Sequence, residues 1–382
     1  MIPRLIEKTL ISALNQKRKI VILLGARQVG KTTVLNSLRR TLGIKGRKIV
    51  YLNCDLAEDL RRINTNSVTV LTGLTRRTDF LFIDEAQRLD NPGLTLKIIH
   101  DQLPKVGVLA TGSSSLDLKN KLADPLTGRF FDFTLYPLSV AEVSPSSLRD
   151  VDFLLPEMMT FGLYPEIYLE ADRDQKITLL NKLTDSYLFK DVLEFQKVRQ
   201  PQVIRDLTRA LAYQIGSEAN ENELSNRLKV DRKTVVNYLD LLEKTFVIFR
   251  VFPFSQNPRR EIGRRYKIFF LDLGIRNALI GDFNSLEIRA DAPKLWENFL
   301  IIERLKLFAG RGKSIGVNFW RSYTGAEVDY LERQSDSPAM TAFEFKYGAG
   351  GLSRGAASFQ KQYSSPVKLV NRENYSDFLK TD

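Results

Sequence analysis

Cysteine and histidine are almost missing from this 382-residue sequence, which has one of each, Cys54 and His100. A lone cysteine excludes a disulfide within the chain and a cysteine-rich zinc site, and it fits a reducing compartment. A lone histidine excludes the zinc centres that need two or three. His100 lies in the helical-looking stretch Leu94 to Leu103, which makes it a helix-surface residue rather than a member of a Ser-His-Asp triad. Chemistry here must use carboxylates, lysines, hydroxyls and backbone amides. No apolar run approaches the ~20 residues of a membrane span, the longest being Ile20 to Leu24. Arg4, Glu7 and Lys8 stand where a signal peptide would be apolar. The expectation is a soluble, cytoplasmic protein without a membrane partner.

What is present is ordinary in amount and uneven in placement. Hydrophobic residues at 43% and charged ones at 27% are those of a folding chain, long enough at ~150 residues per domain for two or three domains. Net charge is +12, and residues 1 to 150 hold 23 basic against 14 acidic residues, so most of the excess sits in the first part. Such a surplus favours polyanions, nucleotides or nucleic acid among them.

From Lys19 to about Thr134, short apolar runs alternate with helix-length segments: Ile20–Leu24, Lys48–Asn53, Phe80–Ile83, Val106–Ala110 and Phe131–Leu135. Continuous β-prone runs with helices between them predict a parallel sheet covered on both faces, an α/β layer domain. Prolines and serines cluster from Pro137 to Pro156, and from Glu157 to about Leu211 the pattern is helical. Another change comes at Asn257–Arg265, after which strand-like runs return at Tyr266–Leu271, Val317–Arg321, Glu327–Leu331 and Ala342–Lys346. The expected domains are 1–147, 148–256 and 257–382.

Directly after the first strand stands Gly25-Ala26-Arg27-Gln28-Val29-Gly30-Lys31-Thr32, a full G-x-x-x-x-G-K-T, with a helical stretch opening at Thr33. The glycines let successive amides face a β-phosphate, Lys31 reaches the β- and γ-phosphates, Thr32 ligates Mg²⁺, and the helix N-terminus adds its dipole. The strand Phe80–Ile83 ends in Asp84 and Glu85. Asp84 is expected to hold Mg²⁺ through water, and Glu85 to orient and deprotonate the attacking water. Thr111-Gly-Ser113-Ser-Ser115 ends the next strand, where hydroxyls either meet the γ-phosphate or cap a following helix. Arg129, in Leu126-Thr-Gly-Arg129, and Arg27 are candidates to stabilise transition-state charge, Arg129 from the same or a neighbouring subunit.

These stretches, with Phe82-Ile-Asp-Glu-Ala-Gln87, resemble the AAA-type ATPase domain often fused to a C-terminal region known as domain of unknown function 4143. Phe161-Gly-Leu-Tyr-Pro-Glu166, Tyr187-Leu-Phe-Lys-Asp191, Lys267–Asn277 and Leu295-Trp-Glu-Asn298 are similar to that region in order and spacing. The resemblance covers nearly the whole chain. It implies an ATPase and leaves the C-terminal function unassigned.

Between these parts, Glu221–Leu228, Lys229–Asp231 and Arg232–Glu243 read as helix, turn, helix, with Phe246–Val251 as a wing strand, and this resembles a winged helix-turn-helix. Arg232, Lys233 and Asn237 lie where DNA would be met, although such modules also serve as packing units. In the last domain Asp329 on one strand and Glu344 with Lys346 on the next are similar to a restriction-nuclease-like core. The i, i+2 spacing puts Glu344 and Lys346 on one strand face, and Glu297 matches that fold's helix carboxylate.

The reading is an Mg²⁺-dependent, ATP-binding and ATP-hydrolysing AAA-like P-loop domain, then a helical and winged-helix module, then an α/β restriction-nuclease-like domain. ATP turnover would drive a transaction on nucleic acid or a partner protein, and a homo-oligomer is one expected form. The alternatives are an ATP-controlled DNA-binding regulator without significant turnover and an ATP-gated metal-dependent nuclease.

Overall fold

The computed structural model describes residues 2–17, 19–112, 126–143, 149–188, 200–255, 266–322, 324–334 and 340–380. The chain divides into two compact units, Met1–Pro137 with Ala309–Gly312, and Leu138–Phe308 with Lys313–Asp382.

The first unit is built on the strands β1 (Ile20–Leu24), β2 (Ile49–Asn53), β3 (Phe80–Asp84), β4 (Gly107–Gly112) and β5 (Phe130–Thr134). They form one parallel sheet in the order β2-β3-β4-β1-β5. β1 and β3 are buried at every residue. That is why their sequences are unbroken apolar runs with no alternation. The helices α1 (Ile6–Gln16), α2 (Lys31–Ile44), α3 (Ala57–Ile63), α4 (Val68–Leu74) and α5 (Pro92–Gln102) belong to the same unit. Because the strands are parallel, their C-terminal ends share one edge, and there β1 enters the glycine loop and β3 delivers Asp84. β4 runs past the expected Ala110 to Gly112, which carries Thr111 into the sheet, fully buried.

The second unit holds a six-stranded sheet of β6 (Ile248–Pro253), β7 (Lys267–Phe270), β8 (Ile315–Arg321), β9 (Glu327–Gln334), β10 (Met340–Phe345) and β11 (Val367–Val370), ordered β11-β10-β9-β8-β6-β7. The expected wing strand is β6. It pairs antiparallel with β7 and parallel with β8, so one sheet is built from both sides of residue 257. The long helical stretch expected from Glu157 is broken early. The helix Arg149–Phe161 stops at Gly162, whose φ of +72° is left-handed, and a new helix starts at Pro165.

Three of the segments that carry the C-terminal resemblance, Phe161–Glu166, Lys267–Asn277 and Leu295–Asn298, meet in the interior. Asp272 caps the helix Leu273–Ile280 through the Ile275 amide (3.2 Å) and also accepts from the Leu163 amide (2.7 Å). Asn277 donates to the Thr160 and Met159 carbonyls, and Asn298 bridges the amide and carbonyl of Phe270. These side chains stitch helix ends to a strand and satisfy buried backbone groups, which is an architectural role.

Candidate nucleotide site

The loop from Gly25 to Gly30 owes its course to its glycines and to one residue far upstream. A side chain at Gly25 would place its Cβ 2.3 Å from the Leu135 carbonyl, and Gly30 turns the chain into α2 at φ +97°. Gln28 is also left-handed, at +61°. Arg4, buried beside α1, donates to the Val29 carbonyl at 2.7 Å and to the Tyr136 carbonyl at 2.6 Å, bracing the loop from behind. The α2 N-terminus has no side-chain cap, so its first amides face the loop as donors for an anion. Lys31 is buried with its Nζ on the Gly25 and Ala26 carbonyls at 3.0 and 2.9 Å. Thr33 is exposed in the first turn, and Arg27 is half-buried in the loop.

Asp84 is buried and accepts three hydroxyls. Thr32 Oγ1 (2.7 Å) and Tyr51 OH (3.0 Å) reach Oδ2, and Thr111 Oγ1 (2.5 Å) reaches Oδ1. Burial, and then the Asp84 charge, push the Tyr51 phenol well above its ordinary range, so it stays a donor. The same two causes push the neighbouring Cys54 thiol up to about 12, which leaves it protonated and unreactive. Glu85 sits at a left-handed φ of +54°, its amide donating to Thr111 Oγ1 (3.1 Å) and its carboxylate held by the Gln87 side-chain amide. Such a conformation is disfavoured for glutamate and aims the carboxylate away from the strand's own course.

The donor set suits a nucleotide with its metal. Thr32 can give its hydroxyl hydrogen to Asp84 and keep a lone pair for Mg²⁺, while Lys31 and the α2 amides meet phosphate oxygens. Arg4 and Tyr51 join this site without any signal in the motif spacing. The sequence pattern offers the Thr111 hydroxyl to phosphate or to a helix cap, and in the structure it orients Asp84 instead. Ser113 lies outside the described residues.

Arg129 requires a correction. It precedes β5, and the register Ile20↔Phe130 sets it beside Lys19, at the N-terminal edge of the sheet. Six residues at ~3.3 Å each separate that edge from Gly25, roughly 20 Å, beyond the reach of an arginine side chain. Its Nε pairs with Asp101 at 3.2 Å. Action on its own chain's nucleotide is excluded.

In the second unit two of the four expected residues, Glu297 and Asp329, lie together, and Asp329 accepts from the Phe345 amide (2.8 Å) on the strand that carries Glu344. Lys346 pairs with Glu344 (2.7 Å), and Glu344 also accepts from the Ser353 amide (2.9 Å). The carboxylates that gather within 4.8 Å of one another are Glu297, Glu327 and Asp329. The cation among them is the buried Lys267, 2.8 Å from Glu297 and 2.5 Å from Glu327. Burial pulls the Lys267 ammonium down, but the carboxylates outweigh it and hold it above its ordinary range. Burial, and then the Glu297 charge, raise Asp329 to about 7. By its sequence Lys267 is no more than a strand residue. The pairing of β7 with β6, unknowable from spacing, brings it here.

A folded-state pKa above the ~3.9 of an unfolded aspartate means that the unfolded chain holds fewer protons between those values, so stability falls as pH rises from about 4 to 7. Asp329→Asn is therefore expected to melt above the wild type at pH 8 and to show a flatter dependence of Tm between pH 5 and 8. Parallel melting curves for the two proteins would contradict this.

Arg232, Lys233 and Asn237 are exposed on the helix Arg232–Lys244, with Arg232 paired to Glu221 at 2.7 Å. The stretch Asn257–Arg265 lies outside the described residues.

Comparison with known proteins agrees with the first unit's geometry. Residues 17–144 match the AAA domain family, so the parallel sheet and glycine loop are a P-loop AAA domain. Residues 293–378 match a domain of unknown function (DUF4143), and residues 152–286 a second domain of unknown function (DUF8612). The segments Phe161–Glu166 and Lys267–Asn277 fall in the second of these. An uncharacterized protein of Haemophilus influenzae is 26% identical over 338 residues, 83% of this chain and 80% of its own. An uncharacterized protein of Methanocaldococcus jannaschii is 26% identical over 338 residues, 82% of this chain and 72% of its own. Among solved structures, AMPPCP-bound DnaA from Aquifex aeolicus is similar at 15% identity and TM-score 0.33, over 62% of this chain and 86% of that one. DnaA bound to AMPPCP and single-stranded DNA gives 16% and 0.33, over 63% and 86%. No helix among the described residues is long and apolar enough to cross a membrane.

Proposed function

We propose that this chain binds ATP with Mg²⁺ and hydrolyses it. The observation that carries the reading is the bond from Thr32 Oγ1 to Asp84 Oδ2, which joins the phosphate loop to the end of β3 across 52 residues and leaves Lys31 and Glu85 on the same sheet edge. Lys31 and the α2 amides bind the phosphates, and Thr32 and Asp84 hold the metal. When bound, Mg²⁺ neutralises charge on the transferring phosphoryl group. Glu85 takes the proton of the attacking water, while Gln87 and the Thr111 hydroxyl fix its position. Any part that Arg129 plays is on the nucleotide of a neighbouring copy.

Turnover is coupled to a nucleic-acid or protein partner through the second unit. Its two helices Glu221–Leu228 and Arg232–Lys244, joined through the left-handed Lys229, present Lys233 and Asn237 outward, which supports a DNA-facing module. Cleavage is not part of the reading, because the buried Lys267 ammonium sits on Glu297 and Glu327, whose oxygens a metal ion would need. The test is Mg²⁺-dependent phosphate release together with binding of a fluorescent ATP analogue. Lys31→Ala is expected to lose both, and nucleotide binding undiminished in Lys31→Ala would overturn the assignment. Binding without release in the wild type would favour the regulator reading.

A further inference from the structure

The edge of the first unit's sheet opposite the phosphate loop carries a charge pattern for which the nucleotide has no use. Every strand is entered through basic residues: Lys17 and Lys19 before β1, Lys45, Arg47 and Lys48 before β2, Arg76 and Arg77 before β3, Lys105 before β4, and Arg129 before β5. The parallel order places all nine along one edge. Among the described residues two carboxylates, Asp79 and Asp101, stand beside these cations, and both are paired with them. Asp79 lies 3.7 Å from Arg47 and 4.0 Å from Lys17, and Asp101 lies 3.2 Å from Arg129.

Lys45, Arg47, Lys48, Arg76, Arg77 and Lys105 are exposed. Among the described residues no carboxylate lies within 4.0 Å of the side-chain nitrogens of Lys45, Lys48, Arg76, Arg77 or Lys105. Arg77 is left-handed at φ +60°, a conformation that glycine or asparagine adopts at less expense, so the fold keeps a charge there against backbone preference.

We propose that this basic edge binds the phosphate backbone of a nucleic acid. Five strands at ~4.8 Å spacing make a row about 19 Å long. Over that length a duplex axis presents roughly eleven phosphates, a density that a row of mobile cations can neutralise without reading sequence. The arginine forks suit phosphate oxygens. An anionic membrane fits less well, since a surface helix embeds several apolar side chains and here Ile44 is the large apolar residue exposed among the cations. The surface belongs to the first unit, whereas Arg232 and Lys233 belong to the second, and it does not depend on ATP turnover.

The experiment uses the full chain and a labelled duplex of about 30 base pairs, followed by fluorescence anisotropy from about 50 to 200 mM salt. The variant Lys45→Ala/Arg76→Ala/Arg77→Ala/Lys105→Ala should bind at least tenfold more weakly, with a salt slope lower by about 0.9 for each phosphate that is no longer neutralised. Its melting temperature and nucleotide affinity should match the wild type. Arg76→Lys/Arg77→Lys should retain the slope, and Lys31→Ala should bind duplex as the wild type does, which separates this surface from the nucleotide site. Failure of the wild type to bind at low salt, or wild-type affinity in the fourfold variant, would overturn the proposal. So would binding to phosphatidylserine vesicles but not to duplex, abolished in the same variant.

Discussion

Glu85→Gln is expected to bind ATP as tightly as the wild type and to release phosphate slower by a factor on the order of 10² or more. The substitution keeps the shape of the side chain and leaves Lys31, Thr32 and Asp84 in place, so the phosphate and metal contacts survive while the group that accepts the proton of water is gone. Titration with a fluorescent nucleotide and single-turnover phosphate release read the two effects separately. Undiminished release would remove Glu85 from the proposed mechanism. A parallel loss of binding would instead show that the carboxylate supports the fold of the β3 end, where its backbone is left-handed.

The largest loss of stability is expected at Gly274. A Cβ there would stand 2.0 Å from the Phe161 carbonyl oxygen, which is backbone and cannot move aside as a flexible side chain would. Gly274→Ala must therefore part the helix Leu273–Ile280 from the end of the helix Arg149–Phe161 and disturb the Asp272 cap. Forced overpacking of this kind costs about 3 kcal/mol, which for a unit of this size lowers Tm by roughly 6–12 °C. Gly281→Ala is the control. Unlike Gly274 it has a positive φ, +68°, but nothing lies within 4 Å of its Cβ, so it should lose only the ~1 kcal/mol of backbone preference. Equal shifts for the two variants in a thermal melt would refute the packing argument.

The residues whose roles depend on local chain geometry are legible in the amino-acid order. Gly25, Gly30, Lys31 and Thr32 stand in a fixed spacing because one turn must aim amides, ammonium and hydroxyl at a single phosphate group, and Asp84-Glu85 announces itself at the end of an apolar strand. Tyr51 gives no such signal, and the pattern that singles out the Thr111 hydroxyl does not point it at Asp84. Each acts through Asp84, and that contact exists because β2 and β4 flank β3 in a strand order that the sequence does not state. Arg4 reaches Val29 from 25 residues away and Tyr136 from 132, with no pattern linking the three.

Arg129 is a different case. In a parallel sheet a residue just before a strand lies at the edge opposite the ligand, so its position ahead of an apolar run already argues against action within its own chain. The same rule makes the basic edge readable as a surface once the five strands are known to be parallel.

In the second unit the spacing Asp329, Glu344, Lys346 suggests a shared metal site because strand periodicity puts such residues on one face. Periodicity says nothing about what another strand delivers to that face. The sheet order brings Lys267 from β7 among Glu297, Glu327 and Asp329, while Lys346 turns to Glu344. The sequence by itself determined the parallel α/β layer, the phosphate loop, the Asp84-Glu85 pair and the helix-turn-helix pattern, since each follows from short-range period and spacing. Only the tertiary structure decided which hydroxyls orient Asp84, which cation the buried carboxylates face and to which edge each arginine belongs, since those depend on strand order, a long-range choice that no local run of residues encodes.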